Sequence, residues 1–190
     1  MNKKLSIFKR KVKHIRLEIE LEGLKLIIPE NFKINPNDIL QKHQKWLQDK
    51  IEKLNEIKKI SETLNFYNQE NLSELINSYI EEIGRILKVK PNKVLFRKMK
   101  IRWGSCHHEK RIIIFNKLLK YLPEDLIRYV VLHEMCHLIF RNHKKEFWLL
   151  IRRFDSDFRE KEKLLAGYIM KLIQNREFCK RDNKIKDLGL

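Results

Sequence analysis

The sequence predicts an α+β fold: a small mixed sheet packed on a central helix, with an N-terminal β-hairpin plus long helix beside it. Three observations lead there. Apolar and charged residues alternate over 12–28 with the two-residue period of a half-buried strand. Apolar residues recur at helical spacing over 36–60, 72–87 and 124–138. Five Gly and four Pro in 190 residues leave long stretches uninterrupted, which suits helices.

Each element has its own signal. In the hairpin, Ile15, Leu17, Ile19 and Leu21 form one apolar face, Glu22 and Gly23 supply the turn, and Pro29 stops the return strand. Asn35 and Pro36 are the cap and first residue of a helix over 36–60. Its stripe runs Ile39, His43, Leu47, Ile51 and Leu54, with Trp46 alongside. A polar connector follows over 61–71. The helix over 72–87 carries Leu72, Leu75, Ile76, Tyr79, Ile80, Ile83 and Leu87 on one side, and Pro91 marks its end. Residues 94–96 and 111–115 read as strands, with a loop around Trp103, Gly104, Ser105 and Cys106 between them. A helix starts near Pro123, where Glu124 and Asp125 suit the positive end of its dipole, and runs to Leu138. Helices over 144–153 and 158–176 complete the chain. The expected organisation is an appendage over 1–65, a main domain over 66–178 and a polar tail over 179–190.

The composition narrows the function classes. A hydrophobic fraction of 43% supports a packed core rather than disorder. No run of 18 apolar residues exists, and the basic N-terminus lacks the apolar stretch of a signal peptide, so no membrane role and a cytoplasmic location are expected. Cys106, Cys136 and Cys179 are an odd number and fit a reducing compartment. The net charge of +17 is concentrated: segment 1–16 carries +7 and segment 88–111 carries +8. Such segments suit DNA or RNA as a partner, or they are simply solvated lysine faces.

Residues 133–137 read His-Glu-Met-Cys-His, an HExxH pattern. On a helix, His133 and His137 lie on one face and can share a metal ion. Glu134 lies beside them and can take a proton from water activated by that metal, as hydrolysis of a carbonyl compound requires. A catalytic zinc usually has three protein ligands and one open position. His143 is the third candidate; Glu146, Asp155 and Asp157 are the alternatives. Six helical residues would turn His143 away from His137, so the helix has to end between them, with Asn142 suited to a left-handed cap. The HExxHxxxxxH spacing is similar to that of metzincin peptidases, although Phe140 stands where that group has glycine.

The motif set Lys100-Ile101-Arg102-Trp103-Gly104-Ser105-Cys106, residues 113–116, residues 133–137, Asn142-His143 and Phe147-Trp148 resembles the YgjP-like metallopeptidase family. The resemblance implies a zincin-like fold and a zinc-dependent metallopeptidase with one Zn2+ per chain. It makes His133, His137 and His143 the ligands and Glu134 the general base. A wider similarity to SprT/Spartan-related proteases suggests protein substrates associated with nucleic acid. The zincin resemblance also makes 111–115 the strand that binds extended substrate by β-addition.

Arg102, Trp103, Ser105 and Asn116 are candidate substrate-binding residues, with Trp103 alternatively a core anchor, Gly104 a tight turn and Asn116 a turn former. Arg102, Tyr121, Tyr168, His107 and His108 are candidate oxyanion donors. Cys106 with His107 and His108 is either a second metal site or an exposed loop. Cys136 reads as packing, and Phe147 and Trp148 as the residues that hold His143 in place. The competing reading is a basic nucleic-acid-binding module with a structural zinc site.

Overall fold

The structure is a computed structural model that describes residues 4–20, 23–31 and 35–175. Leu21 of the expected apolar face, Glu22 of the expected turn, Cys179 and the tail 179–190 lie outside the described residues. Two compact units are distinguished, the second running over Ile60–Gln174 and the first holding the described residues before it together with Asn175. The fold is mixed α+β, with two three-stranded sheets and six α-helices among the described residues.

In the first unit, β2 (Arg16–Glu20) and β3 (Gly23–Pro29) form the expected antiparallel hairpin, with Arg16 opposite Ile27 and Glu20 opposite Gly23. Strand β1 (Lys4–Arg10) is an addition to the sequence reading and pairs parallel with β3, so the order is β1-β3-β2. Leu5 and Ile7 fit a two-residue period, but Phe8 directly after them breaks it, and Ile7 and Phe8 are both exposed. Leu26 and Ile28 of β3 bury one face against Ile39, with Ile15 packed alongside. The helix expected over 36–60 is two: α1 (Pro36–Lys42) and α2 (Gln44–Thr63). His43 sits at the joint with φ −107° and ψ 14°, exposed rather than in an apolar stripe.

The second unit holds the HExxH residues. α3 (Leu72–Leu87) buries Ile76, Ile80 and Ile83, the stripe its periodicity predicts. It ends at Lys88, a left-handed cap with φ 54°, before Pro91 is reached. Strands β4 (Lys93–Arg97), β5 (Gly104–His107) and β6 (Ile112–Asn116) make the second sheet in the order β4-β6-β5, parallel on one side of β6 and antiparallel on the other. The segment read as a loop around Ser105 is therefore a strand, made by pairing with β6 rather than by its own alternation. A 3-10 turn over Lys117–Tyr121 leads into α4 (Glu124–Cys136), then α5 (Lys145–Phe154) and α6 (Phe158–Gln174). α4 touches α3, α5, α6 and β5, which is why it is apolar on nearly every side.

Candidate metal centre

α4 places His133 and Glu134 on its last turn, and His137 caps it in helical geometry, φ −68° and ψ −14°. The helix then stops. Leu138 and Ile139 donate to Met135 and Cys136 carbonyls, both at 3.0 Å, in a tightened last turn. The expected left-handed Asn142 is not what turns the chain, because Lys88 and Arg111 are the non-glycine residues with positive φ among the described residues. The consequence expected for His143 nevertheless follows, since the chain leaves the helix axis after His137.

The three imidazoles meet through one nitrogen each. His143 Nε2 lies 2.9 Å from His133 Nε2 and 3.0 Å from His137 Nε2. Tetrahedral Zn–N bonds of roughly 2.0–2.1 Å would place such nitrogens about 3.3 Å apart, so the cluster needs only a slight opening to hold a metal ion. His137 Nδ1 donates to the Phe140 carbonyl at 2.9 Å, which leaves the His137 Nε2 lone pair facing the cluster. Burial pushes His133 down to about 3, with His137 and His143 adding to the effect, and burial also lowers His137 and His143. Each shift favours the neutral form, the one that ligates metal. His133, His137 and His143 are the metal-capable cluster among the described residues; Asp155 instead receives Lys161 Nζ at 2.6 Å.

Aromatic rings pack against the clustered imidazoles. Phe147 stacks on His137 with centroids 4.7 Å apart, and Trp148 stacks on His143 at 5.4 Å. Trp148 is backed in turn by Phe158 at 5.4 Å.

Glu134 is 6% exposed, and its Oε2 has no hydrogen-bond partner in the structure. Burial pushes its carboxyl up to about 8, while the Arg102 guanidinium pulls the other way and Glu162 adds to the rise. Gly104 of β5 makes room for this side chain. A Cβ at Gly104 would stand 2.6 Å from both Cγ and Oε1 of Glu134. Gly104 is therefore a site of close approach within a strand, not a tight turn, and its φ is not positive. Gly104→Ala is expected to keep the metal and the fold but lower kcat/KM about 100-fold, because Glu134 must shift. Metal analysis, far-UV circular dichroism and hydrolysis of an unstructured protein together check this; unchanged hydrolysis would refute it.

The other sequence-predicted residues divide. Trp103 is buried, and its indole N–H donates to the Leu165 carbonyl at 3.1 Å, the core-anchor alternative. Asn116 is 2% exposed and fully taken up. Its Nδ2 donates to the carbonyls of Met99 (2.8 Å) and Arg102 (2.7 Å), and its Oδ1 accepts from the N–H groups of Met99 (3.2 Å) and Leu118 (3.1 Å). No valence is left for substrate, so Asn116 pins the loop between β4 and β5. Ser105 lies on β5 opposite Ile114. Arg102 is exposed at the loop end and acts electrostatically on Glu134.

Among the oxyanion candidates, Tyr168 is buried with its hydroxyl donating to the Asn65 carbonyl at 2.9 Å. His107 Nδ1 accepts the Lys110 N–H at 3.3 Å, while His108 Nδ1 lies 2.7 Å from the His137 carbonyl. The Cys136 thiol is buried and pushed up to about 12, as suits a packing residue. Strand β6, expected to add a substrate strand, has β4 and β5 on its two sides, so its backbone groups are already paired. In the basic segment 88–111, Arg111 is tied to the Lys90 carbonyl by Nε (3.1 Å) and Nη2 (2.9 Å). No described helix is long and apolar enough to cross a membrane.

Comparison with known proteins adds the family. Residues 55–168 match the family model described as YgjP-like, metallopeptidase domain. The chain belongs to the YgjP-like metallopeptidase family. This YgjP-like chain is 27% identical over 110 residues to the uncharacterized protein MJ1213 of Methanocaldococcus jannaschii, a match spanning 55% of this chain and 94% of that one. It is similar to the metallopeptidase zymogen of Pyrococcus abyssi abylysin (19% identity, TM-score 0.40, covering 58% of this chain and 99% of the other). It is likewise similar to the metallopeptidase zymogen of Methanocaldococcus jannaschii jannalysin (20% identity, TM-score 0.41, 57% and 99%). Two features of the YgjP-like domain escaped sequence reasoning. The role of Gly104 had a signal, a glycine among strand-forming residues. The Phe140 carbonyl that receives His137 had none, because any residue supplies a carbonyl.

Proposed function

We propose that this chain is a zinc peptidase of the zincin type, with His133, His137 and His143 as ligands through Nε2 and Glu134 as general base. The observation that carries the reading is the convergence of three imidazole nitrogens beside a buried carboxyl group whose Oε2 has no partner. A metal ion held there supplies Lewis-acid polarisation of the scissile carbonyl and acidifies water. Glu134 accepts the proton of the attacking water and delivers it to the leaving amine. Arg102 favours the ionised form of Glu134, as a base requires. Arg102, whose guanidinium acts on Glu134, is a cation suited to a developing oxyanion.

An extended protein segment is the substrate class that fits. It would add to the outer edge of β5, which touches α4 and has a paired neighbour on one side only among the described residues. This replaces β6 as the substrate strand. A structural zinc module is less well supported, because a closed site needs a fourth protein ligand and the described cluster has three. Docking to DNA or RNA through segments 1–16 and 88–111 rests on charge alone.

The test is hydrolysis of an unstructured protein by the metal-loaded chain. Activity lost on chelation and restored by zinc, with or without added DNA, is the expected result. Stoichiometric zinc without any turnover would favour the structural-zinc module.

A further inference from the structure

We propose that Glu162, aimed by Tyr129, is the positioning carboxylate of His133: it accepts a hydrogen bond from Nδ1–H and keeps Nε2 turned toward the metal. The inference rests on the reading of His133 as a ligand. His133 Nε2 belongs to the three-nitrogen cluster, 2.9 Å from His143 Nε2. In a neutral ring that ligates through Nε2, the proton sits on Nδ1. A ligating histidine commonly donates that proton to a carboxylate or a carbonyl, which fixes both its tautomer and its ring angle. For His137 the acceptor is the Phe140 carbonyl.

For His133 the group in that position is Glu162 Oε1, 3.7 Å from Nδ1. That separation is about 0.8 Å longer than an N–H···O bond, a gap a small side-chain rotation closes. The Glu162 side chain is 44% exposed. The same oxygen accepts the Tyr129 hydroxyl at 2.6 Å. Tyr129 is 1% exposed, so its hydroxyl occupies a fixed place. Tyr129 and His133 are four residues apart on α4 and share a face, their rings 6.1 Å apart and nearly perpendicular. One helix thus carries both the ligand and the group that aims its partner, while α6 brings the carboxylate. No reading of the HExxH pattern points to either residue.

The test compares wild type, Glu162→Ala, Glu162→Gln and Tyr129→Phe, each as the full chain. Zinc affinity is read by competition with a chromophoric chelator, and ligand geometry by the visible spectrum of the cobalt-substituted protein. Glu162→Ala is expected to bind zinc roughly 10–100-fold more weakly, with an altered cobalt spectrum. Glu162→Gln keeps an acceptor oxygen, so it should recover part of the affinity and the wild-type spectrum. Tyr129→Phe should fall between wild type and Glu162→Ala.

The melting temperature of the metal-free proteins separates positioning from support of the fold. Zinc affinity within twofold of wild type and an unchanged cobalt spectrum in both Glu162 variants would overturn the inference alone. So would an affinity loss that only tracks lost metal-free stability, with the spectrum unaltered. A wild-type chain that takes up no zinc would overturn the ligand reading and this inference with it.

Discussion

Replacing Glu134 by Gln is expected to lower peptide hydrolysis by roughly 100- to 10,000-fold while leaving metal content unchanged. The reasoning starts from placement. Glu134 is on the last turn of α4, between the two helix-borne histidines, but its side chain is not in the metal-capable cluster. It lies instead against Gly104 of β5, buried, with Oε2 unpartnered. Glutamine has nearly the same shape and fills the same space, so neither packing nor the imidazoles should move. What is lost is the ability to accept a proton. An unpartnered buried carboxyl also costs stability, and a fold gains nothing from keeping one unless its chemistry is used. Parallel measurement of zinc stoichiometry and turnover of an unstructured protein checks this. A variant within tenfold of wild-type activity would remove Glu134 from the base role.

His143→Ala is expected to lose zinc almost entirely. Removing an outer partner of a ligand costs roughly 10–100-fold in affinity, and removing a ligand itself should cost more than that. The fold should survive, because His143 is exposed while the side chains that anchor α5, Phe147 and Ile151, are fully buried. Elemental analysis of wild type beside the variant, with circular dichroism as the control, is the direct check. One zinc retained per variant chain would defeat the three-histidine site. Asp155 is poorly placed to replace it, since Lys161 and the Asp157 N–H already occupy its two oxygens.

The two predictions draw on different levels of information. The HExxH pair was legible because helical periodicity alone puts residues four apart on one face. The amphipathic helix α3 was legible to its end residues for the same reason, and the β2–β3 hairpin by its alternation. His143 was legible only as a choice among four residues. What brings it to the other two imidazoles is a turn of backbone after Cys136 that Asn142 was expected to make and a tightened last turn makes instead.

The sheet was the weakest reading. Strand β5 has no alternation of its own, and a strand that exists by pairing cannot be seen in one segment. Misplacing it left β6 as the apparent substrate strand, although β6 turned out to be central. Asn116 and Trp103 were read as facing either the site or the core, because residue type does not report direction. Their hydrogen bonds to Met99, Arg102, Leu118 and Leu165 settle where they face.

By itself, then, the sequence determined the chemistry on offer: two imidazoles and a carboxylate on one helix, a third imidazole nearby, and the periodic elements that carry them. These are local properties, set by spacing of a few residues along a chain whose repeat is known. Tertiary structure alone decided which groups face one another across distance. It set β5 against α4 so that Gly104 admits Glu134, brought His143 Nε2 to the other two, and placed Glu162 of α6 beside His133. The reason is that such contacts join residues from separate elements, and their geometry depends on how a whole buried core packs rather than on any one segment.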